Sequence, residues 1–193
     1  YIANDTEPNS LFLSESATSG GDQYVIRESG QLRGCAVGLR GNSEGSMGIA
    51  GGDFDHNGKF DMHVTNFANE PSALYLQQEH GIFLNQNIGY GLEGKTFSMV
   101  GWGTQAADFD NNGWTDIAVL NGHIYPKLLD GSPYQMLPQM FRGGPTGFEA
   151  VDSASSTYWT TARLGRALVK FDWNRDGRID LAGVHLDACL LYT

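Results

Sequence analysis

Cysteine is nearly missing from this chain. Cys35 and Cys189 are its only 2, so its 193 residues are not held by a disulfide framework and need a packed core, for which the length suffices. Both lie among apolar neighbours, which suits buried free thiols; a single bridge between them is the alternative. Basic side chains are also scarce. Lys and Arg number 12 against 22 Asp and Glu, a net charge of −10, and a surface of that sign repels a phosphate backbone, so nucleic acid is not expected as a partner. No run of about 18 apolar residues occurs, so no membrane-spanning helix is expected. Long helical periodicity is missing while glycine is abundant at 26 residues, a combination that predicts an all-β chain with many turns.

The marks of common catalytic sites are missing as well. There is no Gly-x-Ser-x-Gly elbow, no phosphate-binding loop and no dinucleotide fingerprint. The 5 histidines are not spaced as a metal cluster. His56 falls in a loop and His63 in a strand, while His123 and His185 each follow a strand. The last two read as hydrogen-bonded turn residues before they read as a catalytic or metal-binding pair. Residues 153–157 are rich in Ser and Thr and read as a loop. No catalytic residue is assigned.

What the chain has instead is one phrase written three times. It reads Asp53-Phe54-Asp55-His56-Asn57-Gly58-Lys59-Phe60-Asp61, then Asp108-Phe109-Asp110-Asn111-Asn112-Gly113-Trp114-Thr115-Asp116, then Asp172-Trp173-Asn174-Arg175-Asp176-Gly177-Arg178-Ile179-Asp180. Each copy has an oxygen-bearing side chain at positions 1, 3, 5 and 9 and Gly at position 6. Calcium takes about six to eight oxygens, and Gly permits the sharp bend that brings them round one ion. A turn alone needs a Gly and one Asx residue. Three carboxylates in so short a span repel one another unless a cation joins them.

The phrase begins like an EF-hand but does not continue as one. Position 12 is Val64, Val119 and Gly183 instead of the bidentate Glu. The residues that follow, such as Asp61-Met62-His63-Val64 and Asp116-Ile117-Ala118-Val119, are short apolar runs with β-branched members, which predict strands. Small-residue runs precede each copy. The loop is therefore expected to join two antiparallel strands. Loop starts at 53, 108 and 172 give intervals of 55 and 64 residues, long enough for about four short strands per repeat. Other marks recur in phase: Asn66, Asn121 and His185 after the second strand, and Leu74-Tyr75, Met140-Phe141 and Leu191-Tyr192 later. Tyr1-Ile2-Ala3-Asn4 aligns with His63-Val64-Thr65-Asn66, and Leu11-Phe12 with Leu74-Tyr75. Both ends fall within a repeat, and Tyr1 is not a natural start, so the chain reads as a piece of a longer array.

These motifs, their strand context and their spacing resemble the FG-GAP/VCBS repeat family. The stretches Val64-Thr65-Asn66 and Val119-Leu120-Asn121-Gly122-His123 resemble the members that pair such repeats with an ASPIC/UnbV domain. The Phe-Gly and Gly-Ala-Pro landmarks of integrin blades are missing, and Asn174 stands where position 3 is otherwise Asp. The resemblance implies an integrin-α-like β-propeller, commonly seven-bladed, of which this chain would supply about three four-stranded blades. Residues 1–46 would be the end of a preceding blade and a linker, 47–101 a blade, 102–165 a blade with a long insert at 122–139, and 166–193 an incomplete blade. It also implies up to three Ca²⁺ ions. Their side-chain ligands would be Asp53, Asp55, Asn57 and Asp61, then Asp108, Asp110, Asn112 and Asp116, then Asp172, Asn174, Asp176 and Asp180. Lys59, Trp114 and Arg178 would add backbone carbonyls.

The function so implied is a non-enzymatic, calcium-stabilised module for adhesion or protein binding, in an extracellular, periplasmic or cell-surface setting, with the remaining blades in cis. A carbohydrate-binding propeller, or part of a propeller-type polysaccharide lyase or hydrolase, is the alternative. The insert reads first as a surface excursion and second as a ligand loop. Tyr125, Tyr134 and Trp159 are the aromatics placed to stack on a glycan or peptide, or else to cover a core.

Overall fold

The computed structural model describes residues 1–16, 24–126, 132–151, 157–187 and 189–192, the last four as backbone only. Among these residues, antiparallel sheets follow one another along the chain. The first pairs β1 (Phe12–Ser16) with β2 (Tyr24–Glu28). The second contains β3 (Ile49–Gly52), β4 (Asp61–Val64), β5 (Ala73–Gln77) and β6 (Phe83–Asn85). The third contains β7 (Gly101–Ala107), β8 (Asp116–Asn121), β9 (Gln139–Arg142) and β10 (Glu149–Ala150). The fourth contains β11 (Gly165–Phe171), β12 (Asp180–His185) and β13 (Cys189–Tyr192). Spatial order equals chain order in every sheet, so neighbouring strands are joined as hairpins, and no sheet closes into a barrel. Among the described residues helix is confined to the single turns α1 (Gly30–Arg33) and α2 (Glu93–Thr96) and a 3-10 turn at 79–81. The all-β expectation holds, and each acidic loop joins two antiparallel strands.

The central strands carry apolar residues on both faces, because both faces are covered. Side chains alternate along a strand. Met62 and Val64 of β4 face a core shared with Ala73, Tyr75, Phe83 and Cys35, against which Tyr1 and Leu11 pack. Leu74 and Leu76 turn the other way, to Ile117, Val119 and Phe141 of the third sheet. Ala118 and Leu120 turn from these again, to Leu168, Leu181 and Tyr158. Successive sheets therefore stack face to face with a separate core in each gap. Cys35 is a buried free thiol.

The first strands of the three later sheets run side by side, with β7 between β3 and β11. Glycine makes this approach possible: a Cβ on Gly48 would lie 1.9 Å from the Trp102 carbonyl oxygen, and one on Gly103 would lie 2.3 Å from Leu168 N. Polar bonds cross the same gaps. Thr65 Oγ1 donates to Trp102 O at 2.7 Å, Gln105 Nε2 donates to Leu168 O at 2.9 Å, and Lys170 Nζ donates to Ala106 O.

The N-terminal segment repeats the later pattern in register. The Ile2–Ser10 bridge matches the Val64–Ala73 pair. Asn4 Nδ2 donates to Pro8 O at 2.7 Å, as Asn66 Nδ2 does to Pro71 O at 2.8 Å and Asn121 Nδ2 to Leu137 O at 2.9 Å. The recurring Asn thus closes the loop between the second and third strands of each unit. His185 departs from this: it ends β12, and its Nε2 lies 3.1 Å from the Tyr158 hydroxyl.

Candidate metal centre

Each acidic loop connects the first and second strands of its sheet, where the hairpin fixes its ends. The backbone then coils so that amides point at the loop's own side-chain oxygens. Asp53 Oδ1 accepts Asn57 N at 3.1 Å and its Oδ2 accepts Gly58 N at 2.9 Å. Asp55 Oδ1 accepts Asn57 N at 3.1 Å, and Asn57 Oδ1 accepts Lys59 N at 2.8 Å. The second loop repeats these bonds through Asp108 at 3.0 and 2.8 Å, Asp110 at 3.2 Å and Asn112 at 2.7 Å. The third repeats them through Asp172 at 3.1 and 2.9 Å, Asn174 at 3.0 Å and Asp176 at 2.8 Å.

Position 6 is in the left-handed region in all three copies, with φ of 78° at Gly58, 89° at Gly113 and 84° at Gly177. Nothing lies within 4 Å of a Cβ built there, so conformation, not crowding, demands glycine. Position 4 is left-handed as well, with φ of 59° at His56, 58° at Asn111 and 61° at Arg175. Sequence reasoning missed this, because three different residue types occupy the place.

The Asp at position 9 is the buried one. Asp61 is fully buried; its Oδ2 accepts Phe54 N at 2.8 Å and its Oδ1 accepts Gln77 N at 2.7 Å. Asp116 does the same with Phe109 N at 2.9 Å and Gly143 N at 2.8 Å. It therefore ties the loop start to the third strand or the turn beyond it, while its remaining lone pairs stay open to an ion. Burial pushes both carboxyls above the usual range, against the amide bonds that lower them, and the neighbouring loop carboxylates push the same way. In the third loop Asp180 Oδ2 accepts Trp173 N at 2.7 Å.

Two triads can hold a metal ion: the ligand atoms of Asp53, Asp55 and Asp61, and those of Asp108, Asp110 and Asp116, all lie within 4.8 Å of one another. The third loop keeps the backbone form, yet Asp172, Asp176 and Asp180 are not gathered to that distance. Its position 3 is the amide Asn174, which donates to Asp176 Oδ2 at 3.0 Å. The two triads also differ in their neighbours. Arg142 pairs with Asp110 at 2.6 Å, whereas Lys59 turns to Glu79 at 2.6 Å. The first triad is thus the less neutralised of the two.

The position-7 side chains go their own ways, as expected where only a carbonyl is wanted. Trp114 stacks on His56 of the preceding loop, with ring centroids 3.9 Å apart and planes 7° apart. Thr115 Oγ1 donates to Asp53 O at 3.1 Å. Arg178 is exposed.

Among the described residues no histidine belongs to a metal-ligating group. His63 is wholly buried, with Nδ1 3.0 Å from Thr104 Oγ1. Of the three aromatics picked from sequence, Tyr125 is exposed, Tyr134 is half-buried, and Trp159 packs edge-on against Tyr158 beside the third core. The 127–131 part of the insert and most of the 153–157 run lie outside the described residues. No family model matches the chain, and no curated protein matches it.

Proposed function

We propose that this chain is part of a calcium-stabilised, non-enzymatic β-propeller of the FG-GAP/VCBS kind, serving adhesion or protein binding outside the cytoplasm. The observation that carries this reading is recurrence. One hydrogen-bonded acidic hairpin appears between the first and second strands of three successive sheets. Face-to-face stacking, with the first strands adjacent, is the arrangement that blades take around a common axis.

The donor set favours calcium. All side-chain donors are carboxylate or amide oxygens, which suit hard cations and not thiophilic metals. The two triads are the primary sites, and the third loop, with Asp172, Asn174, Asp176 and Asp180, is a weaker one. Calcium would supply the opposite charge that lets the loop carboxylates stay ionised side by side. The role is structural: the ion fixes the bend and adds its binding free energy to folding.

Calcium titration of a metal-free sample tests this. Extracellular modules bind at roughly 10⁻⁴–10⁻³ M. At about 10 mM calcium, each site then adds about 1–3 kcal/mol. For two sites this raises Tm by about 5–20 °C in a chain of this size. Magnesium should do less, because it demands a tighter octahedral shell. A melt indifferent to calcium, with no metal found by elemental analysis, would falsify the reading.

A further inference from the structure

We propose that a second site, distinct from the acidic loops, binds an organic cation of the alkylammonium class. A cavity of about 410 Å³ lies where the N-terminal segment, the 67–70 loop, β7 and the 124–125 segment meet. That volume is within the range of about 300–1,000 Å³ usual for small-molecule sites. Three aromatic residues, Phe67, Trp102 and Tyr125, line it together with the carboxylates of Asp5 and Glu70. Among the described residues no basic side chain lines it. Aromatic faces are electron-rich and attract a cation whose substituents are apolar. A bare metal ion would gain little from such walls, and a neutral ligand would gain little from the paired carboxylates.

The walls are held in place before any ligand arrives. Trp102 Nε1 donates to Gly122 O at 2.8 Å, which sets the indole plane. His123 Nδ1 accepts Ile124 N at 2.9 Å and Tyr125 N at 3.1 Å, which fixes the backbone that presents Tyr125. The His123 ring meets Phe67 nearly edge-on, with centroids 5.2 Å apart. Glu70 is anchored by one oxygen, Oε2, which accepts Gly45 N at 2.7 Å. Close by, Glu44 is held up to about 7 by its burial and by the charge of Glu70, against the Asn66 hydrogen bond and the Arg40 charge that lower it. The Trp102 indole already receives one cation from a neighbouring cavity, since the Arg166 guanidinium carbon sits 4.4 Å from its ring centroid. Tyr125 is 56% exposed, so the site opens to solvent.

This inference rests on the fold and not on the metal reading, so it is tested with calcium saturating throughout. Choline and its uncharged isostere 3,3-dimethylbutanol are titrated separately and followed by calorimetry and by amide chemical shifts. Choline should bind saturably, at least tenfold tighter than the isostere. Tyr125→Leu, which keeps an apolar wall but removes the π-face, should weaken choline about tenfold. Glu70→Gln and Asp5→Asn should each weaken choline and leave the isostere unchanged. Melting curves of all variants should overlay the parent, and if Tyr125→Leu fails to fold, the two carboxylate variants decide. Equal binding of both probes, no binding of choline, or full retention of choline binding in both carboxylate variants overturns the proposal.

Discussion

Neutralising the pH response of His63 is the sharpest test of the stacked-sheet packing. The imidazole lies on β4, wholly buried, with Nδ1 against Thr104 of β7 and Nε2 without a partner among the described residues. Burial alone pushes its pKa from 6.5 down to about 3. The folded state therefore keeps it neutral, while the unfolded state protonates it near 6.5. The sign follows: His63 costs nothing above pH 6.5, and stability is lost as pH falls from there towards about 3. At pH 5.0 the loss is about 2 kcal/mol, from about 1.4 kcal/mol per pH unit below the unfolded pKa. The assay is urea unfolding of the parent and His63→Asn at pH 7.5 and 5.0, in saturating calcium. At pH 7.5 the variant is the weaker protein, because it loses packing between two sheets. At pH 5.0 the gap narrows by about 2 kcal/mol, since other titrating groups are common to both proteins. A gap of the same size at both pH values would mean that His63 is hydrated, and the inter-sheet packing described above would be wrong.

Two further outcomes follow from the loops and the glycines. Asp61 and Asp116 have folded pKa values raised above their unfolded ones, so without metal their ionisation costs stability that is lost as pH rises from the usual carboxylate range through the raised values. The proposed calcium site requires the ionised form, so the gain in Tm on adding calcium should shrink between pH 7.5 and 5.0; an equal or larger gain at the lower pH contradicts this. Gly58→Ala meets open space and suffers only from its φ of 78°, whereas Gly48→Ala drives a methyl to 1.9 Å from Trp102 O. Urea unfolding should show a loss of about 1–2 kcal/mol for the former and a larger loss, with β3 parted from β7, for the latter. Equal losses would refute the close approach of these strands.

The loops were legible because their chemistry is local. Gly at position 6 and Asp at position 9 announce a bend and a following strand within nine residues, and backbone sterics enforce them wherever they occur. Asp61 reads as a ligand in sequence, but its grip on Gln77 N is a contact across 16 positions that no spacing rule reports. The pairing of Arg142 with Asp110 is hidden for the same reason. For Trp159 sequence leaves open a stacking face or a core cover, and it packs against the core set by β8, β11 and β12. The aromatic cavity could not be foreseen, as its walls come from positions as far apart as Asp5 and Tyr125 and meet only when sheets stack.

The stacked pair His56–Trp114, with the bond from Thr115 to Asp53 O, gives adjacent hairpins a common wall. If the first bend takes up an ion, this shared wall is the route by which its ordering would reach the second bend. Trp114, one of 4 tryptophans in the chain, stands between the two bends, and its emission in a variant that lacks the other three would then gauge how closely they are joined.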